Sequence, residues 1–278
     1  MSLLAAAFLA VVCAAPASAG TPGLVWSDEF DGPAGAPPDT RYWTAEVGGH
    51  GWGNDELEFY TARRENSRLD GKGHLVIEAR REKYENRDFT SARLVTKDKV
   101  AHAYGRFEAR INLPQGQGIW PAFWIMGDNI EKAGWPACGE VDVMEFLGHE
   151  PGTVYGTLHG PIRTSTTTGE DSVSDYGNEE GGVGVAFRLP EGKRFPGSFR
   201  VFAIEWEPAE IRWLVDGQVY SKHTPKDLGR GTWVFDRPFF ILLNVAVGGS
   251  WPGAPDRTTV FPQRMIVDWV RVSSMPPR

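Results

Sequence analysis

Residues 139–146 read Gly139-Glu140-Val141-Asp142-Val143-Met144-Glu145-Phe146, three carboxylates interleaved with apolar residues at nearly strand spacing. In an extended strand successive side chains point to opposite faces, so Glu140 and Asp142 share one side and Val141 and Val143 the other. Glu145 falls out of step by one residue. A bulge at Met144 or a neighbour absorbs the extra residue and returns Glu145 to the face of Glu140 and Asp142. Taken alone, the octapeptide is an ordinary half-buried strand with one solvated acidic face. Its context points elsewhere. Like charges on one strand repel unless cations face them, and just upstream Gly118 to Met126 sets Trp120 and Trp124 four residues apart on one face. A carboxylate row beside aromatic platforms fits a carbohydrate site.

The rest of the chain carries the same period. Leu24 to Gly32 reads as a first strand ending in an acidic turn, and strand-like runs punctuated by Gly, Asn and Asp span Asn66 to Leu69, His74 to Arg80, Thr90 to Thr96 and Tyr104 to Ile111. Leu75, Ile77 and Ala79 face one way, and Val76, Glu78 and Arg80 the other. Thr153 to Gly160 reads as a strand beside the acidic one, with Tyr155, Thr157 and His159 on one face. Phe199 to Glu207, Ile211 to Val215 and Gln218 to His223 follow, with Asp216-Gly217 marking a tight hairpin. Pro238 to Val247 is apolar on both faces, which places it centrally, and Gly248 to Gly253 reads as a rim loop. Met265 to Val272 is a last strand. No stretch holds a capped helical period. Short strands along the whole chain predict an all-β sandwich or barrel. Pro161 to Phe199, polar and Gly-rich, reads as a long loop and a tolerated surface insertion.

Composition narrows the ligand. The net charge is −7 with Lys and Arg scattered, so no nucleic-acid footprint is present. Eleven Trp exceed what a core needs, and indole faces stack on the C–H faces of neutral sugars. His50 to Tyr60 joins Gly, aromatic and amide residues in the manner of a binding loop. Residues 1–19 lack charge and end in Ala17-Ser18-Ala19, which predicts a secretory leader and an extracellular protein with no membrane attachment once it is removed. Residues 20–278 then form a single domain. Cys13 leaves with the leader and Cys138 stands alone, so the mature chain has no intrachain disulfide.

These motifs resemble the bacterial endo-β-1,3-glucanases (laminarinases) of glycoside hydrolase family 16. Glu140-Val141-Asp142-Val143-Met144-Glu145 is similar to the family pattern Glu-x-Asp-x-x-Glu in its longer, bulged form. Trp26 to Phe30, Gly51 to Asn54, Gly118 to Met126, Gly156 to His159 and Asn244 to Gly253 also match, so the likeness spans nearly all of residues 20–278. The resemblance implies a curved β-jelly-roll sandwich of the concanavalin A-like type, with β-glucan lying across a concave cleft. It implies a retaining reaction in which Glu140 is the nucleophile, Glu145 the acid and then base, and Asp142 the residue between them. A flat strand would hold Glu140 and Glu145 well beyond the separation of about 5–5.5 Å that such a pair needs, so the strand must be bulged and concave.

By the same resemblance Trp120 and Trp124 flank the sugar at the cleavage point, Asn54 and Arg93 bind on the non-reducing side, and His159 and Trp251 line the groove. His159 has no second His or Cys at ligand spacing, which argues against zinc. Catalysis needs no cofactor. Family members hold a structural calcium on the convex side, which here implies Glu29, the Gly71 carbonyl and Asp268. A monomer is expected. Two alternatives stay open: a sister enzyme cutting mixed-linkage glucan or another β-polysaccharide, and a non-catalytic β-glucan recognition protein, which would be expected to lack the carboxylates. Thr168 to Pro196 departs from the family pattern and leaves groove shape undetermined.

Overall fold

The computed structural model describes residues 23–165, 171–178 and 183–275; the leader expected at 1–19 lies outside them. Two large sheets face each other. One has the strand order Val185–Arg188, Thr153–His159, Glu140–Glu145, Ile119–Gly127, Phe239–Val247, Arg93–Val95, Thr44–Glu46. The other runs Gln218–His223, Glu210–Val215, Phe199–Glu207, Gly105–Asn112, Gln263–Ser273, Leu75–Tyr84, Arg87–Ser91, Glu58–Tyr60, with Leu24–Asp28 and Ser67–Leu69 attached at its side. Pairing is antiparallel except between Glu58–Tyr60 and Arg87–Ser91.

Period-two alternation builds the sandwich. In Gly105–Asn112 every second residue is buried, which gives that strand one core face and one wet face. The core joins Phe123, Ile125, Val141, Leu243 and Val245 of the first sheet to Phe107, Ile111, Ile204, Trp206 and Trp213 of the second. Phe239–Val247 is buried at every position, because its second face carries a smaller cluster of Leu242 and Phe240 with Trp124, Met126 and Cys138. That cluster underlies the cleft. Asp216 and Gly217 make the expected hairpin turn with φ of 48° and 80°, the left-handed pair that two-residue loops require.

The acidic strand carries the predicted bulge. Against the tryptophan strand, Met144 pairs with Phe123 and Asp142 with Trp124, so Val143 has no partner of its own. Against the next strand, Asp142 pairs with Thr157 and Glu145 with Tyr155, leaving two residues opposite Gly156. Val141, Val143 and Met144 all enter the core. Glu140, Asp142 and Glu145 are thereby left on the other face. Trp213 reaches across the sandwich to the bulge, its indole N–H donating to the Asp142 carbonyl at 2.8 Å. Gly156 makes room for this indole: a Cβ there would lie 2.5 Å from two Trp213 ring atoms.

Two expectations need correction. Thr90 to Thr96 is two strands, Arg87–Ser91 in one sheet and Arg93–Val95 in the other, with buried Ala92 at the crossing. Local alternation persists through such a crossing, so it leaves no trace in the pattern. Pro161 to Phe199 is also more than a surface insertion. Pro161–Ser165 and Asp171–Asp175 pair as a hairpin, the 3-10 turn Tyr176–Asn178 follows, and Val185–Arg188 extends the first sheet beside Thr153–Gly156.

The packing at the bulge generates a stability prediction. Gly156→Ala forces the Trp213 indole off the Asp142 carbonyl and destabilises the fold by about 2 kcal/mol or more. Gly184→Ala, whose Cβ would come no closer than 3.8 Å to Thr157, stays within about 0.5 kcal/mol of wild type. Chemical denaturation of both variants tests this, and equal midpoints would remove the packing argument.

Candidate active site

A cleft of about 1000 Å³ lies over the first sheet. Strands supply its floor: Trp120, Ala122, Trp124 and Met126 alternate along Ile119–Gly127, with Asn244 and Ala246 beside them and the three carboxylates next to these. Loops supply its walls. Trp52, Asn54 and Glu56 come from the loop expected to bind, and Ser250 and Trp251 from the rim loop. The two loops are tied together: Ser250 N–H donates to the Asn54 carbonyl at 2.8 Å, and Ser250 Oγ bonds Asp55 at 3.2 Å.

Hydrogen bonds fix each carboxylate. Glu140 Oε2 accepts from Trp135 Nε1 at 3.0 Å, and Glu145 Oε1 accepts from Trp120 Nε1 at 3.1 Å. Asp142 is buried, with Oδ2 3.1 Å from His159 Nε2, which also lies 3.9 Å from Glu140 Oε1. Burial first, and then the Asp142 charge, pushes Glu140 and Glu145 both well above the ordinary carboxyl range. For Glu140, the His159 cation, the Trp135 bond and Arg93 oppose that rise. For Glu145 the opposing influences are the His159 cation first and then the Trp120 bond. The row therefore retains a proton near neutrality. Burial alone would neutralise His159, but Asp142, Asp175 and Glu140 outweigh it and hold the ring well above the usual histidine range.

Every expected cleft residue lines this cleft. Arg93 is stacked between two indoles, 4.8 Å from the Trp52 centroid and 4.7 Å from that of Trp124, and pairs with Glu46 on the neighbouring strand at 2.5 Å. Asn54 Nδ2 donates to Glu56 at 3.1 Å, and Tyr60 Oη to the same carboxylate at 2.8 Å. Trp251 is 42% exposed and meets Trp120 and Tyr155 edge-on, which leaves an indole face free at the rim. Trp124 donates to Asn244 Oδ1 at 2.8 Å. Sequence reasoning missed Trp135, Glu56, Asn244 and Asp175 as site residues. Trp135 had a readable signal, an aromatic residue between Gly134 and Pro136 just ahead of the acidic strand. Asp175 had none.

Among the described residues, Glu140, Asp142 and His159 bring carboxylate and ring-nitrogen atoms within 4.8 Å of one another. As an imidazolium His159 has no lone pair to offer, so the cluster behaves as an ion-paired row. The residues implied for calcium lie elsewhere. Glu29 receives two bonds from Arg271, at 2.9 and 2.8 Å, and Asp268 pairs with Arg110. Gly71 has φ of 77°, and a Cβ there would meet the Ala34 backbone at 2.8 Å. Cys138 is free and buried, its thiol pushed up to about 11 by burial and by Glu140, so it is no nucleophile.

Comparison with known proteins agrees with this geometry. The model of glycosyl hydrolases family 16 matches residues 54–271. A beta-glucanase of Rhodothermus marinus is 45% identical over 258 residues, covering 90% of this chain and 84% of its own. A glucan endo-1,3-beta-glucosidase of Cryptopygus antarcticus is 39% identical, covering 83% of this chain and 82% of its own. The laminarinase catalytic domain of Thermotoga maritima superimposes with a TM-score of 0.79 at 47% identity, over 91% of this chain and 98% of that one. The facing sheets are thus the jelly-roll sandwich of those laminarinases. With a family model spanning most of its length and relatives this similar, the chain belongs to glycosyl hydrolases family 16 and is a glycoside hydrolase.

Proposed function

We propose that the chain is a retaining endo-β-1,3-glucanase. The observation that carries this reading is the bulged strand, which turns Glu140, Asp142 and Glu145 to one face beneath the Trp135 and Trp120 indole N–H groups. Glu140, in its ionised form, attacks the anomeric carbon. Glu145 gives its proton to the departing glycosidic oxygen, and a glycosyl ester on Glu140 results. Glu145, now ionised, takes a proton from water as that water displaces the ester. Asp142 faces His159 at 3.1 Å and adds negative potential on Glu145. Asn54 and Arg93 form the wall assigned to the non-reducing side, with Trp52 stacked on Arg93, and Trp251 gives a stacking face at the rim. The relatives named for β-1,3-glucan hydrolysis support that linkage.

Glu140→Gln and Glu145→Gln each lower kcat by at least about 10²-fold with the fold intact. Reducing-sugar release from laminarin, lichenan, agarose and xyloglucan, measured in parallel, checks the substrate: product from lichenan alone would sink the β-1,3 assignment. Proton NMR of early product shows the β anomer if configuration is retained.

The same variants report on stability. Glu140 and Glu145 have folded pKa values raised above the free value, so their contribution is fully present below about 4.5 and is lost as pH rises through the folded values. At pH 8 either Gln variant therefore melts above wild type, by about 2–4 °C for each kcal/mol recovered. At pH 4 the difference closes. A Tm gap independent of pH would contradict the burial argument.

Calcium and secretion are separate proposals. Glu29, the Gly71 carbonyl and Asp268 are hard oxygen donors of the kind calcium takes. Binding would draw Glu29 from Arg271 and Asp268 from Arg110. A bound ion raises Tm in millimolar calcium and EDTA reverses the gain; an unchanged Tm removes it. Mass spectrometry of the chain recovered from culture medium, with Gly20 first, tests the leader at 1–19.

A further inference from the structure

Asp175 has no part in the reaction above, yet its side chain is buried and closes on His159. Asp175 Oδ2 accepts from His159 Nδ1 at 2.7 Å, while Oδ1 accepts from the backbone N–H groups of Gly160 and Gly177, each at 3.1 Å. On the other side of the ring, Nε2 lies 3.1 Å from Asp142 Oδ2. A carboxylate oxygen faces each nitrogen, that of Asp175 in a hydrogen bond and that of Asp142 at ion-pair distance, and the imidazolium, with a proton on both nitrogens, is the form that suits two such anions. The ring is also clamped. A Cβ on Gly177 would sit 2.4 Å from Nδ1, and the Trp135 ring lies 6.0 Å away. The hairpin Pro161–Ser165/Asp171–Asp175 brings Asp175 to this point, pairing it with Pro161 two residues beyond His159.

We propose that Asp175 is a positioning residue for glycoside hydrolysis: it holds His159 as a fixed cation, both nitrogens protonated, against the catalytic carboxylates. The inference rests on the roles given above to Glu140 and Glu145. Among the described residues, the groups facing His159 are Glu140 and Asp142, with Glu145 farther off, from the acidic strand, and Asp175 from the hairpin, whose charge together with burial keeps the adjacent Tyr176 phenol neutral. Arg93 acts on Glu140 from across the cleft. The His159 charge favours the ionised form of both Glu140 and Glu145.

Asp175→Asn isolates the effect. Asn can keep both backbone bonds only by turning its oxygen to Gly160 and Gly177, which aims its NH₂ at Nδ1. Nδ1 must then accept, so His159 becomes neutral with its proton on Nε2. Losing the cation raises the proton affinity of Glu140 and Glu145 together. Both limbs of the bell-shaped kcat/KM profile on laminarin move to higher pH by about one unit. On the acid side this is a roughly tenfold loss. A purely structural residue would lower the height of the bell and leave its limbs in place, and that result overturns the proposal. The second readout is nitrogen-15 NMR of His159. Wild type keeps both nitrogens protonated from pH 5 to 8, and Asp175→Asn loses one within that range. An ordinary titration near about 6.5 in wild type also overturns the proposal, even if the variant fails to fold. If wild type cleaves no glucan, the functional reading fails, while the NMR still decides the state of His159.

Discussion

The hydrogen bond from Trp213 to the Asp142 carbonyl is the contact on which the site depends. A bulge frees a backbone carbonyl from the ladder, and a buried carbonyl without a donor costs about 1–3 kcal/mol. Trp213 supplies the donor from the opposite sheet, and Gly156 leaves the space through which it arrives. With the bulge held, Val143 and Met144 both drop into the core and the next residue returns to the cleft. Without it, period-two geometry would send Glu145 inward and Met144 outward. A packing decision beneath the sheet thus sets the spacing of the carboxylates above it.

Three acidic groups on one strand form a local conflict that the surroundings only partly resolve. His159 faces two of them, and indole N–H groups serve the outer two. The residual strain takes the form of a retained proton, which is what a general acid requires. Glu140 and Glu145 begin as the same residue type on the same face. Their neighbours separate them: Glu140 has His159 at 3.9 Å, the Trp135 indole and Arg93, whereas Glu145 has His159, the Trp120 indole and the added charge of Glu140. The division of labour between nucleophile and acid is a property of environment.

Legibility followed the range of the interaction. The bulge was readable because Glu-x-Asp-x-x-Glu breaks its own period within six residues, and Asp-Gly marked its hairpin for the same local reason. The central burial of Phe239–Val247 followed from its unbroken apolar run. Trp120 and Trp124 could be placed because four residues is an even number of strand steps. The exchange of sheets at Ala92 could not be read, since alternation continues through it. Asp175 was unreadable for a different reason: a polar, Gly-rich segment has no burial pattern, and only the pairing of 161–165 with 171–175 returns it to His159.

That difference bears on how the site divides its tasks. Floor residues are held by ladder pairing, so their alternation is visible in the chain and their positions tolerate little change. Wall residues are held by contacts made from loops, Ser250 to Asn54 between two of them and Trp52 against the strand-borne Arg93, which stacks on Trp124 from its other side. The stack is rigid, because Arg93 sits on a strand and its guanidinium is pinned by Glu46 from the neighbouring one. Trp251, by contrast, is 42% exposed and packed only edge-on. Chemistry therefore resides on the most constrained strand, while binding surfaces grade from the clamped Arg93 wall to the exposed rim. Substrate shape can vary at the rim with no change in the carboxylate row.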